Sequence, residues 1–223
     1  MISKSMKCVV LVLAFAVALV PTRIEATGND QVHVHVQAKQ QCLSQSMVQL
    51  KGDMRKLWID HVVWTRNYIV SAVAGASDQD KVLARLLKNQ QDIGEAIKPY
   101  YGDAAGNKLA ELLKEHILLA GKVLQAAKSG NQVDLAKYNK QWYANADEIA
   151  KFLSSANPNW SEKELKSLLY AHLKLVTDAV VARIKGDVDA DILAFDQGEA
   201  HIIKLADILT EGIIKQFPKW FQK

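Results

Sequence analysis

Three histidines sit in the same sequence context: Trp58-Ile59-Asp60-His61, Leu113-Lys114-Glu115-His116 and Leu169-Tyr170-Ala171-His172. Each precedes a glycine by 14 residues, namely Gly75, Gly130 and Gly186. A period of 55 and then 56 residues marks a repeated supersecondary unit. It constrains the fold strongly, because each unit must bury its apolar face against its neighbours. The repeat continues past the glycines. Asn89-Gln90-Gln91-Asp92-Ile93-Gly94, Asn145-Ala146-Asp147-Glu148-Ile149-Ala150 and His201-Ile202-Ile203-Lys204-Leu205-Ala206 align, and each unit closes on a proline with an aromatic two residues later: Pro99 with Tyr101, Pro158 with Trp160, Pro218 with Trp220.

Within the units, apolar residues step by three and four, which is the spacing of one helix face. The first seam reads Met47, Leu50, Met54, Leu57, His61, Trp64, Tyr68 and Ser71; a later one reads Leu135, Tyr138, Trp142, Asn145, Ile149 and Phe152. A left-handed glycine after each first helix suits a turn. A proline stops a helix by lacking the amide donor and by disfavouring helix in the residue before it. The sequence therefore predicts an all-α bundle of three helical hairpins, about six helices, with repeats near 46–99, 103–158 and 161–218. The second helix is expected to run from about Asp80 to Ile97 and to stop at Pro99. Ser161 and Glu164 form a capping-box pattern at the start of the last hairpin.

Ahead of the bundle, Lys4 and Lys7 precede thirteen apolar residues from Cys8 to Val20, followed by Pro21 and Ile24-Glu25-Ala26. That run is too short to span a bilayer and matches an export signal, with cleavage expected after Ala26. Residues 27–45 read as a Gln-rich polar arm, in which His33 and His35 alternate with valines. Cleavage would remove three cations and one anion, lowering the formal charge from +4 to +2. That is no nucleic-acid footprint, and no later stretch predicts a transmembrane anchor. The protein is thus expected to be secreted or extracytoplasmic. Cys8 would leave with the signal, so Cys42 has no partner for an intrachain disulfide.

The chemistry follows from helix geometry. Each histidine and its counterpart on the second helix lie roughly 21 Å from the turn at 1.5 Å per residue. His61 should then face Asn89, His116 should face Asn145, and His172 should face His201. Three such pairs at one depth form a polar layer through an apolar bundle, and buried imidazoles must be hydrogen-bonded or metal-bound. One reading makes the layer a metal site of His61, His116, His172 and Glu199 or His201. Asn89, Asn145, Asp60, Asp147 and Asp196 would then orient the ligands, and the ion would be zinc, iron or copper. The other makes it a structural network that fixes helix register. Glu199 is favoured slightly over His201 because it continues the seam Ile192, Phe195, Glu199, Ile202, Ala206 and Leu209. The two positions lie about 200° apart on a helix and cannot share one core point.

No Glu-x-x-His pair, His-Glu-x-x-His, Gly-x-Ser-x-Gly, phosphate-binding glycine loop or haem-attachment Cys-x-x-Cys-His occurs in the sequence. An enzyme is accordingly the less favoured class. The expected function is binding of a metal ion or small ligand in the His-rich layer, with a structural or partner-binding bundle as the alternative.

The runs Asp60-His61-Val62-Val63-Trp64-Thr65-Arg66, Pro99-Tyr100-Tyr101-Gly102, Asn145 to Ala150 and Asn157-Pro158-Asn159-Trp160 carry a resemblance. Over roughly Leu50 to Phe217 the chain resembles a family of small exported all-helical proteins found mainly in spore-forming and environmental bacteria. The resemblance implies export and a helical fold but no settled activity. The labels glycosyltransferase and acetylglutamate kinase, often attached to such chains, are rejected here, because the sequence has neither an α/β nucleotide-binding pattern nor the length of those folds.

Overall fold

Five helices account for almost all of the described residues in a computed structural model that describes residues 44–222: α1 Gln45–Ala74, α2 Gln79–Ser129, α3 Gln132–Ala156, α4 Glu162–Lys185 and α5 Val188–Gln216. A short 3-10 turn, Pro218–Phe221, follows. No strand occurs among the described residues. The export signal, the polar arm with His33 and His35, and Cys42 lie outside the described residues.

Local chemistry explains where the helices begin and end. Ser44, Asn131, Ser161 and Asp187 each accept a hydrogen bond from the backbone amide three residues on, satisfying an orphan donor at the starts of α1, α3, α4 and α5. At Ser161 this is the hydroxyl half of the capping box. Gly75, Gly130 and Gly186 end α1, α2 and α4 in the left-handed region, with φ of 66°, 71° and 74°. All three make the same pair of bonds. In the first, Gly75 N–H donates to Ala72 O and Ala76 N–H donates to Ser71 O, the double bond of a Schellman cap.

The second helix departs from expectation. Pro99 does not stop α2, which continues through Tyr100 and Tyr101. The break falls at Gly102, where φ 80° and ψ 168° belong to a region open essentially to glycine alone. The bend is sharp. A straight helix would hold Gly94 and Gly106 about 18 Å apart, yet a Cβ on Gly94 would collide with Gly106 O and Ala110 Cβ, so the two backbones touch. Proline forfeits one amide bond at this corner, but the helix remains intact until glycine permits the reversal.

The helices form a closed ring in which α1 packs on α2, α2 on α3, α3 on α4, α4 on α5, and α5 back on α1. The main core joins Met54, Trp58, Ile93, Leu109, Trp142, Ile149, Leu165, Leu173, Ile202 and Leu209. At one end the aromatics that follow the prolines gather. Tyr101 lies 5.7 Å from Trp160 and 5.4 Å from Phe217 between ring centroids, and Tyr100 lies 5.3 Å from Trp220. Tyr101 also donates to Gln216 Oε1 at 2.9 Å and accepts from Asn157 Nδ2 at 2.8 Å, tying α2 to α5 and to the turn after α3.

Candidate functional site

His61, His116 and His172 are 2%, 3% and 4% exposed and lie on α1, α2 and α4 at the bundle centre. Ring centroids are 5.4 Å apart for His61 and His172 and 6.4 Å apart for His116 and His172. The sequence-predicted layer is therefore a cluster with His172 between the other two.

Donors and acceptors assign the tautomers. The indole Nε1–H of Trp142 donates to His116 Nε2 at 3.0 Å, so the proton of the neutral ring is on Nδ1, which donates to Asn145 Oδ1 at 2.8 Å. The Asn145 amide then donates to Leu112 O at 3.2 Å. On α1, His61 Nδ1–H donates to Gln90 Oε1 at 3.2 Å. The Gln90 amide donates to Asn89 Oδ1 and Leu86 O, and Asn89 donates to Leu57 O at 3.0 Å. His61 Nε2 is left as an acceptor, and it receives His172 Nε2–H at 3.4 Å. His172 Nδ1 carries the remaining lone pair. It is buried and has no hydrogen-bond partner.

Electrostatics keeps the cluster neutral. Burial lowers the pKa of His61 to about 4, reinforced by the nearby His116 and opposed by the Gln90 hydrogen bond. Burial likewise lowers His116 to about 4 against its bond to Asn145. His172 falls well below its ordinary value through burial, then through the fields of His61, His116 and His201. A protonated ring would leave water for an apolar interior with no carboxylate beside it.

The pairings differ from those expected in two of three cases. His116 meets Asn145 directly. His61 reaches Asn89 only through Gln90, which is fully buried. His172 is not bonded to His201, which instead lies 2.8 Å from Leu168 O through Nε2. The expected carboxylates stay apart from the layer. Asp60 pairs with Lys56 at 2.6 Å, Asp147 accepts from Tyr170 and Lys166, Asp196 is exposed, and Glu199 is half-buried without a hydrogen bond among the described residues. Ile192 is 46% exposed, so the seam on α5 runs through Asp191, Ala194, Ile202, Leu205 and Leu209 and not through Glu199. A buried ion pair fixes that rotation. Asp191, 1% exposed, accepts from Arg66 on α1 at 2.8 and 2.9 Å in bidentate geometry and from Arg183 at 3.3 Å.

Gln90, Asp191 and Arg66 were missed as site residues, and Trp142 was singled out as a seam residue without its bond to His116. Gln90 had a signal in its position beside Asn89, and Trp142 in its place three residues before Asn145. The pairing of Asp191 with Arg66 joins residues 125 apart in sequence and left no local trace.

Beside the cluster, between α1, α4 and α5, lies a partly open cavity of about 30 Å³ whose lining includes Thr65, Arg66, His172, Val176, Phe195 and Gly198. Among the described residues no group of three or more His, Cys, Asp or Glu side chains is placed to hold a metal ion. No helix among them is long and apolar enough to cross a membrane. No family model, curated protein or solved structure matches the chain.

Proposed function

We propose that this chain is an exported binding protein built from three repeated helical hairpins, whose neutral histidine layer holds the hairpins in register and offers one imidazole nitrogen to a small ligand. The hairpins are α1 with α2 up to Gly102, α2 beyond Gly102 with α3, and α4 with α5. Their equivalence is supported by one recurring bond: Asn89, Asn145 and His201 each contact the carbonyl four residues before the unit's histidine, at Leu57, Leu112 and Leu168. The observation that carries the binding reading is His172 Nδ1, a buried acceptor without a partner in a layer whose other ring nitrogens are paired. An unmet buried acceptor costs on the order of 1–3 kcal/mol, a penalty that a bound donor removes.

The metal reading rests on a different observation. Two nitrogens bound to one tetrahedral ion at 2.0–2.1 Å lie about 3.3–3.4 Å apart, and His61 Nε2 and His172 Nε2 are 3.4 Å apart. Against it, His116 spends both nitrogens on Trp142 and Asn145, and the one carboxylate near the layer among the described residues, Glu115, contacts the Asn145 amide at 3.4 Å and bonds to no imidazole.

Metal analysis of untagged protein, with thermal melts in the presence and absence of chelator, tests the choice. We expect no stoichiometric ion and an unchanged melting temperature. A stoichiometric ion lost in a His172→Ala variant would replace this reading with the metal site. Amino-terminal sequencing of the protein recovered from its native host checks export, with a start at Thr27 expected.

A further inference from the structure

Seven residues after His61 the chain places Tyr68, seven after His116 it places Val123, and seven after His172 it places Ala179. The tyrosine is buried and packs on Gly121, the residue five after His116: a Cβ built there would stand 3.1 Å from the Tyr68 hydroxyl oxygen. Taken from His116 and His172, the same two offsets give Val123 on α2 and Thr177 on α4. Both line a partly open cavity of about 90 Å³ between α2, α3 and α4. Taken from His172 and, where the ring of helices closes, from His61, the offsets give Ala179 and Arg66, and both line the smaller cavity between α1, α4 and α5. The ring that Tyr68 supplies at the first position is thus missing at the other two, and a cavity stands at each.

We propose that the cavity between α2, α3 and α4 binds an uncharged single-ring aromatic group of about benzene size, seated where a ring equivalent to that of Tyr68 would lie. The proposal stands apart from the ligand reading above, because His172 is not part of this cavity. The apolar character follows from the walls. Leu135 and Trp142 come from α3, Val123 from α2, and Val176 and Val181 from α4. Among the described residues none that lines the cavity is charged, so an ion would be desolvated there without a counter-charge. The polar hydrogens of the walls are already given away: Thr177 Oγ1 donates to Leu173 O at 2.8 Å, and Trp142 Nε1–H donates to His116. The Thr177 oxygen, as an acceptor, is the one side-chain partner left, fewer than the two to four that a buried water takes. An apolar occupant therefore displaces little that is bound. Size and ring character follow from volume and packing. At about 90 Å³ the space is smaller than the roughly 150 Å³ apolar cavity that stays dry and takes up benzene, but it opens where Val181 is 40% exposed, so a ring lodges with one edge outward. The Trp142 indole in the wall favours an aromatic partner through offset or edge-to-face contact.

The experiment titrates the full chain with benzene, reads which protein protons the ring touches by intermolecular nuclear Overhauser effects, and records the melting temperature at each concentration. Contacts to the methyl groups of Val123, Val176 and Val181 are expected, with a shift of the Trp142 indole N–H resonance and a melting temperature that rises as the site fills. Val123→Phe supplies the missing ring from the chain itself, so those contacts should fade and binding should weaken about tenfold or more. A folded Val123→Phe variant that takes up benzene like wild type overturns the proposal. So does a wild type that shows no contacts in benzene-saturated buffer, or one whose contacts fall on Val62 and Ile69, which line the smaller cavity instead. Where Val123→Phe melts too low to be titrated, the wild-type contacts decide alone.

Discussion

At the scale of single residues, each layer side chain has a defined donor or acceptor role, so removing one strands its partners. In Asn145→Leu, His116 loses its acceptor and Leu112 O loses a donor within the core. We expect a destabilisation of about 1–3 kcal/mol for the groups left unmet, measured by urea unfolding at pH 7. A Glu111→Gln change on the helix of His116, on an exposed side chain, should leave stability nearly unchanged. The imidazoles also set a pH dependence. The folded pKa values of His61 and His116 lie at about 4, below the ordinary value of 6.5. Between those limits the unfolded chain binds more protons than the folded one, so stability is greatest above pH 6.5 and declines as the pH falls toward 4. Unfolding midpoints measured from pH 8 to pH 4 should fall through that window. Replacing His116 by a non-titrating residue should flatten the decline, even where it lowers stability overall.

Helix ends and corners decide which parts of the fold were readable beforehand. The turns at Gly75, Gly130 and Gly186 were legible, because a left-handed cap needs a residue type that the sequence displays openly. The corner in α2 was misplaced by three residues. Proline advertises a helix break, but a first-rank breaker can be carried within a helix when a more permissive residue follows, and Gly102 is that residue. On α5 the seam through Ile202, Ala206 and Leu209 was legible and is buried, but its start was not. Ile192, Phe195 and Glu199 make an apolar-looking stripe, whereas the observed face is set by Asp191 meeting Arg66 across the bundle, a tertiary contact that local periodicity does not encode. Gly102→Ala should therefore cost about 1–3 kcal/mol, since its φ and ψ lie in a region a β-carbon disfavours. Gly198→Ala, in an open helical position, should be neutral or stabilising. The denaturant midpoint should fall for Gly102→Ala and hold or rise for Gly198→Ala, and a tolerated Gly102→Ala would mean that the corner does not depend on glycine.

Across the whole molecule, the ring of helices must close by bringing α5 back onto α1, and the contacts that close it are of two kinds. Polar ties join α1 to α5, a partly exposed one where Arg55 meets Asp207 at 2.6 Å and a buried one where Arg66 meets Asp191. At the aromatic end, closure depends on shape instead. The Trp160 indole lies so near α5 that a Cβ on Gly212 would overlap its Nε1. The partly exposed Arg55–Asp207 pair is screened by water and contributes at most a small amount. The indole occupies a space that cannot be shared. Gly212→Ala should accordingly destabilise the protein by about 1–3 kcal/mol through overpacking, despite alanine's better helix propensity. Because ring closure keeps α4 and α5 packed on α1, the helix that carries His61, the variant should also weaken the His61–His172 contact. Tryptophan fluorescence during urea unfolding, combined with exchange of the His61 imidazole proton, reads both effects. Loss of stability together with faster His61 exchange places the layer under the control of the aromatic end, whereas an unperturbed Gly212→Ala would show that α5 has room to move without disturbing it.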